Sequence, residues 1–164
     1  MPENAAIAKA VFRYVNRRPL QFLKFEEVFM SLVSIKHEKA LRVSANIRNH
    51  KVVLDVPADS GGADAGPEPV ELFVAALGAC MAMHIAKYCE TVKLPHEGFE
   101  MDLDFQVVKG PLRVGSVMVD IRLPATFPES RVEAIKRAAQ QCTVKNTLKE
   151  ATAVDVEVYR ESVA

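Results

Sequence analysis

The sequence predicts an α+β fold. Three observations carry it. Short runs alternate apolar and polar side chains on both sides of the chain's middle, as half-buried strands do. A long, nearly unbroken apolar stretch between them reads as a core helix. Turn residues separate the runs closely enough for antiparallel neighbours.

Taken in order, residues 4–17 place Ile7, Val11, Tyr14 and Val15 on one helical face. Pro19 ends that helix, so residues 1–27 form a helical arm ahead of a domain spanning 28–164. The stripe on the arm needs cover from the domain or from a second subunit. Val28–His37 reads as a first strand, Leu41–Ile47 alternates as a second, and Lys51–Val56 follows the Arg48-Asn49-His50 turn as a third. The helix is expected from Pro69 to Val92, with Pro69 in the first turn and Glu71 near the positive end of the helix dipole. Its first half is apolar all round, as in a buried helix. Phe99–Val108 and Ser116–Leu123 read as a hairpin, with Arg113-Val114-Gly115 in its turn. Pro128-Glu129-Ser130 opens a second helix, where Ser130 and Glu133 have capping-box spacing. That helix breaks near Cys142, resumes over Val144–Ala151, and Val154–Tyr159 closes the chain as a strand.

Composition narrows the function. The 164 residues carry 21 Lys and Arg against 21 Asp and Glu. Zero net charge without a basic run excludes the usual footprint of a nucleic-acid or anionic-lipid partner. No stretch is expected to reach the length of a membrane span, because Lys87, Glu90 and Lys93 make the long helix polar in its second half. The first residues lack the pattern of a secretory signal. Three cysteines are few, and odd in number, for a secreted disulfide scaffold. These points predict a cytoplasmic protein with reduced thiols.

Of the chemical candidates, the Gly61–Gly66 loop has the spacing of a phosphate loop, but Pro67 and Glu68 stand where Lys and Ser or Thr are required. A flexible turn is the better reading. Cys80 and Cys89 lie nine residues apart, about 13.5 Å along a helix and half a turn out of phase. A disulfide needs Cα atoms within about 7 Å, so they cannot bridge within one straight helix. Cys142 is the plausible partner for Cys80, although all three cysteines also suit small buried hydrophobes. His84 lies one turn from Cys80, placed either to activate its thiol or to share a metal, yet no third and fourth ligand is at hand. Neither a metal nor a cofactor is expected.

Two stretches resemble a known family. Gly61–Cys80 carries a Gly-rich turn, Pro69-Val70-Glu71-Leu72 and an apolar run ending in Ala-x-x-Cys. Cys142-Thr143-Val144-Lys145-Asn146-Thr147-Leu148 resembles Cys-Pro-x-x-Asn-Thr-Leu, with Thr in place of Pro. Both resemble the OsmC/Ohr family of osmotically inducible and organic hydroperoxide resistance proteins, in its OsmC-like branch, over roughly Phe29–Tyr159. The resemblance implies a curved antiparallel sheet wrapping a long central helix, in an intertwined homodimer; the N-terminal helix is extra to it.

It also implies a cysteine-based peroxidase that reduces organic hydroperoxides in the response to oxidative stress. Cys80 would be the nucleophile and Cys142 the resolving thiol, with a dithiol reductant, such as a lipoylated protein, restoring the pair. Family members activate the nucleophile with an Arg from the N-terminal hairpin and a Glu ten residues before the cysteine. Here Val70 occupies that position and Glu71 stands nine before. Glu71, Glu68, Arg42, Arg48 and His84 are the candidate activators. The rival expectations are a catalytically silent small-ligand-binding module and a redox sensor on the same scaffold.

Overall fold

A computed structural model describes residues 33–150 together with Thr152, Val154, Val156 and Val158. The expected arm (1–27), the start of the first strand and half of the closing strand (154–159) lie outside the described residues. Within them, the fold is mixed α and β, with antiparallel sheets and one long helix.

Three strands form a meander in sequence order: β1 (Val33–Lys39), β2 (Arg42–Ile47) and β3 (His50–Leu54). Val43 pairs with Leu54 and Ile47 with His50, so Arg48-Asn49 is a two-residue loop. Arg48 takes φ 55° there, the left-handed geometry that tight hairpins require. The third strand stops two residues short of expectation. Asp55 leaves the ladder and turns its carboxylate onto the Gly-rich loop, accepting from the N–H groups of Val56 (3.0 Å), Ala63 (3.2 Å) and Ala65 (3.3 Å). Its side chain is only 2% exposed, and the Arg42 Nε lies 3.5 Å away. A buried carboxylate is tolerable when its lone pairs are filled in this way. These bonds and the Arg42 charge overcome burial and hold the Asp55 carboxyl below its ordinary value. The loop is thus tied down at both ends of its turn. At Gly62 any Cβ would overlap the Val56 carbonyl oxygen.

The long helix, α1 (Pro69–Val92), has the expected bounds. Glu68 caps it, and the Glu68 N–H donates to the Glu71 carboxylate at 2.8 Å, the returning half of a capping box. Val74, Leu77, Gly78, Met81, Ile85 and Cys89 form its buried face. That face packs on the hairpin of β4 (Glu100–Val108) and β5 (Arg113–Arg122) and on α2 (Val132–Gln140) and α3 (Thr143–Thr147). Gly78 permits the closest approach, since a Cβ there would stand 2.7 Å from Leu103 Cδ1. The core centres on Leu77, Met81, Ile85, Phe127, Ile135 and Ala139. Met101, Leu103 and Phe105 pair with Ile121, Val119 and Val117 on the half-buried side of the hairpin.

Several expectations need correction. The second strand of the hairpin begins at Arg113, so Val114 and Gly115 are strand and not turn. A register shift between Gln106 and Val107 lets Val107 and Val108 pair with Val114 and Arg113. Ser130 is not a helix cap. The Arg131 N–H bonds the Pro128 carbonyl at 2.9 Å, winding Glu129–Arg131 into a 3₁₀ turn that moves the α-helical start to Val132. Glu133 instead pairs with Lys136 at 2.6 Å. The last helix starts one residue earlier than expected and ends at Thr147.

The described residues do not enclose the apolar helix all round: Phe73 is 37% and Met83 71% exposed. Contrary to the expectation that no stretch is long enough to span a membrane, α1 has that length and a mean hydropathy of 1.7 over 18 residues. Of its three charged residues, Glu71 lies in the first turn and Lys87 and Glu90 in the last two, leaving the positions between them almost wholly apolar. Its Leu77–Cys89 stripe is nonetheless built into the core above, as in a core helix.

Candidate functional site

The fold brings Cys80 and Cys142 together. Cys80 is half-buried on α1, and Cys142 is completely buried where α2 gives way to α3. The chain reverses there because Gln141 ends α2 and Cys142 takes extended geometry (φ −59°, ψ 121°) as the N-cap of α3. The Cys142 Sγ accepts the Lys145 N–H at 3.3 Å, a sulfur doing what Ser or Asp usually does at this position. On its other side the same thiol donates to the Leu77 carbonyl at 3.8 Å, on the turn of α1 before Cys80. Both cysteines are free thiols.

The two thiols are polarised in opposite directions. Burial works against ionisation of Cys80, but the Cys142 thiol and the main-chain N–H groups of Val144 and Thr143 outweigh it and hold Cys80 below its ordinary pKa. Burial pushes Cys142 up, and the neighbouring Cys80 pushes it further. The first N–H groups of a helix have no partner within it, so those of α3 are free to face a thiolate. The Cys142 proton has two acceptors within reach, the Leu77 carbonyl and the Cys80 sulfur. Cys89 is fully buried in the core, and burial alone raises its pKa. The arrangement suits a nucleophilic thiolate at Cys80 beside a protonated thiol at Cys142.

The remaining candidates lie elsewhere. Glu68 and Glu71 are joined to each other at the first turn of α1, nine or more residues from Cys80. Arg42 belongs to Asp55, and its buried Nε makes no hydrogen bond. Arg48 is exposed in the β2–β3 turn. His84 follows Cys80 by one turn of α1 and is half-buried, with no hydrogen bond to the thiol among the described residues. Among the described residues no three His, Cys, Asp or Glu side chains converge as a metal site. Side-chain reasoning missed the main-chain donors of Thr143 and Val144. The one legible signal was Thr143 itself, standing where the family pattern has Pro.

A core helix presenting one thiol to a second thiol at a neighbouring helix start defines this as an α+β dithiol protein. The family model for OsmC-like protein matches residues 61–157, more than half the chain, and the chain belongs to that family. Solved structures share the fold. A Psychrobacter arcticus protein named for osmotic stress induction and detoxification response superimposes with a TM-score of 0.66 at 21% identity, over 76% of this chain and 91% of that one. The organic hydroperoxide resistance protein OsmC of Legionella pneumophila gives 0.59 at 19%, over 76% and 92%. A Vibrio cholerae protein named for organic hydroperoxide resistance, with captopril bound in one of its active sites, gives 0.59 at 17%, over 77% and 88%. Among curated proteins none matches significantly by sequence.

Proposed function

We propose that the protein reduces organic hydroperoxides with Cys80 and Cys142 as a cycling dithiol. What supports this is a pair of free thiols, Cys80 on α1 and Cys142 at the start of α3 against the preceding turn of α1, in a chain of the OsmC-like family; their opposite pKa directions agree with it. The Cys80 thiolate attacks the terminal oxygen of ROOH. The O–O bond breaks, the alkoxide takes a proton from water to leave as ROH, and Cys80 becomes a sulfenic acid. The Cys142 sulfur then attacks the Cys80 sulfur, releasing water and closing a disulfide. An external dithiol, of the lipoyl kind, reduces that disulfide and becomes oxidised itself. An apolar peroxide needs no electrostatic steering, consistent with zero net charge.

The test is single-turnover oxidation of the reduced protein by cumene hydroperoxide or tert-butyl hydroperoxide. The expected result is rapid loss of two thiols per chain, abolished by Cys80→Ala. Oxidation no faster than that of free cysteine rejects the reading. A second reading, a redox sensor or silent ligand-binding module, draws on the engagement of Arg42, Glu68 and Glu71 away from Cys80. A fast first oxidation followed by no reduction with any dithiol favours the sensor.

A further inference from the structure

We propose that an external thiol opens the Cys80–Cys142 disulfide at the Cys80 sulfur alone, so that Cys80 carries the mixed disulfide with the reductant and Cys142 is always the leaving thiol. The inference deepens the peroxidase reading and rests on it for the place of this disulfide in a cycle.

Burial and anchoring of the two sulfurs support it. Cys142 is completely buried and belongs to the core cluster with Leu77, Met81 and Ala139. Its Sγ is held from two directions, by the Lys145 N–H at 3.3 Å and the Leu77 carbonyl at 3.8 Å. In a regular helix that carbonyl also accepts the Met81 N–H, so it lies in the turn that holds Cys80. Cys80 itself is only half-buried. Cys142 is thus the fixed sulfur of the pair, and Cys80 the one that meets solvent.

Thiol–disulfide exchange is a substitution at sulfur, with the nucleophile entering opposite the sulfur that leaves. Attack on Cys142 needs a path from the side away from Cys80, and that side is closed core. Ionisation favours the opposite choice. Cys80, the easier thiol to ionise, is the better leaving group, which by itself directs attack to Cys142. Access decides instead, because a sulfur that water cannot touch is closed to a larger thiolate as well. The reductant thiolate therefore attacks the Cys80 Sγ, the S–S bond breaks, and Cys142 leaves as a thiolate that takes a proton from water. The second thiol of the reductant gives its proton to water and attacks the reductant's own sulfur in the mixed disulfide. Cys80 leaves as a thiolate, and the reductant departs as a cyclic disulfide.

The test closes the disulfide with diamide, with no peroxide present. The oxidised chain is exposed separately to glutathione and to sulfite, quenched with acid, capped with N-ethylmaleimide in denaturant and mapped by mass spectrometry. The attacked sulfur carries glutathione or sulfonate, and its former partner carries the cap. The expected result is about tenfold or more adduct on Cys80 than on Cys142 with either nucleophile, as exchange controlled by access implies. The preference should vanish when the oxidised chain is denatured before the nucleophile is added. Comparable adduct on both sulfurs of the folded protein, or an excess on Cys142, overturns the proposal. A preference that survives denaturation also overturns it, because burial is then not its cause. Failure of diamide to close the disulfide overturns it too. A chain that diamide oxidises and glutathione opens at Cys80, but that cumene hydroperoxide leaves reduced, rejects the peroxidase reading and upholds this one.

Discussion

Cys142 combines three roles at one sulfur. It caps α3 through the Lys145 N–H, meets the Leu77 carbonyl, and favours ionisation of Cys80. Replacing it by Ala removes all three. The expected outcome is a Cys80 alkylation inflection at higher pH and a loss of about 0.5–1 kcal/mol of stability with the cap, read by denaturant unfolding. The pH dependence of stability separates the two thiols by sign. Cys80 ionises more readily when folded, so it favours the fold above the unfolded thiol pKa. That contribution is lost as pH falls through the folded-state value. Cys142 and Cys89 are raised, so they stay neutral in the fold and cost stability once pH exceeds the unfolded thiol value. Cys80→Ala should therefore lower stability more at pH 9 than at pH 7, relative to wild type. Equal effects at both pH values would show that Cys80 is not ionised more readily in the fold.

Among the elements, α1 was readable end to end. Pro69, the acidic first turn and the apolar run mark its bounds without help from tertiary contacts. The alternating runs of the meander and hairpin were equally plain, because period-two burial writes itself into side-chain type. Where the reading failed, the deciding groups were main chain. Nothing in Ser130-Arg131-Val132-Glu133 announces that Pro128 will start a 3₁₀ turn and spoil the cap. Nor does any side chain announce the N–H donors facing Cys80. Glu71 was correctly read as a helix-end residue, but its partnership with the Glu68 N–H was not. The glycines give an element-scale test. Gly62→Ala meets the Val56 carbonyl, which cannot yield, and should cost about 3 kcal/mol. Gly78→Ala meets only the end of the Leu103 side chain, which can rotate, and should cost about 1 kcal/mol. Chemical denaturation of both variants checks the order; the reverse order would mean that α1 cannot shift on β4.

At the scale of the molecule, the described chain has an unfinished side. Phe73 and Met83 remain exposed on α1, and the principal contacts of the meander are internal to it. We propose that a second copy covers this side. The protein should sediment as a dimer at micromolar concentration, and Met83→Asp should shift it towards monomer without unfolding it. A wild-type monomer would reject this account. Such a dimer would bear on the site as well, because Cys80 lies on the same helix, between Phe73 and Met83 in sequence.

The main-chain donors beside Cys80 also bear on how the site withstands mutation. A guanidinium or carboxylate is lost to almost any substitution, but a peptide N–H survives replacement of its residue by every amino acid except proline. Thr143 is exposed and can change its side chain without touching the core, whereas Val144 is half-buried and packs against it. A family comparison that scores only side-chain identity would mistake such a site for a decayed one.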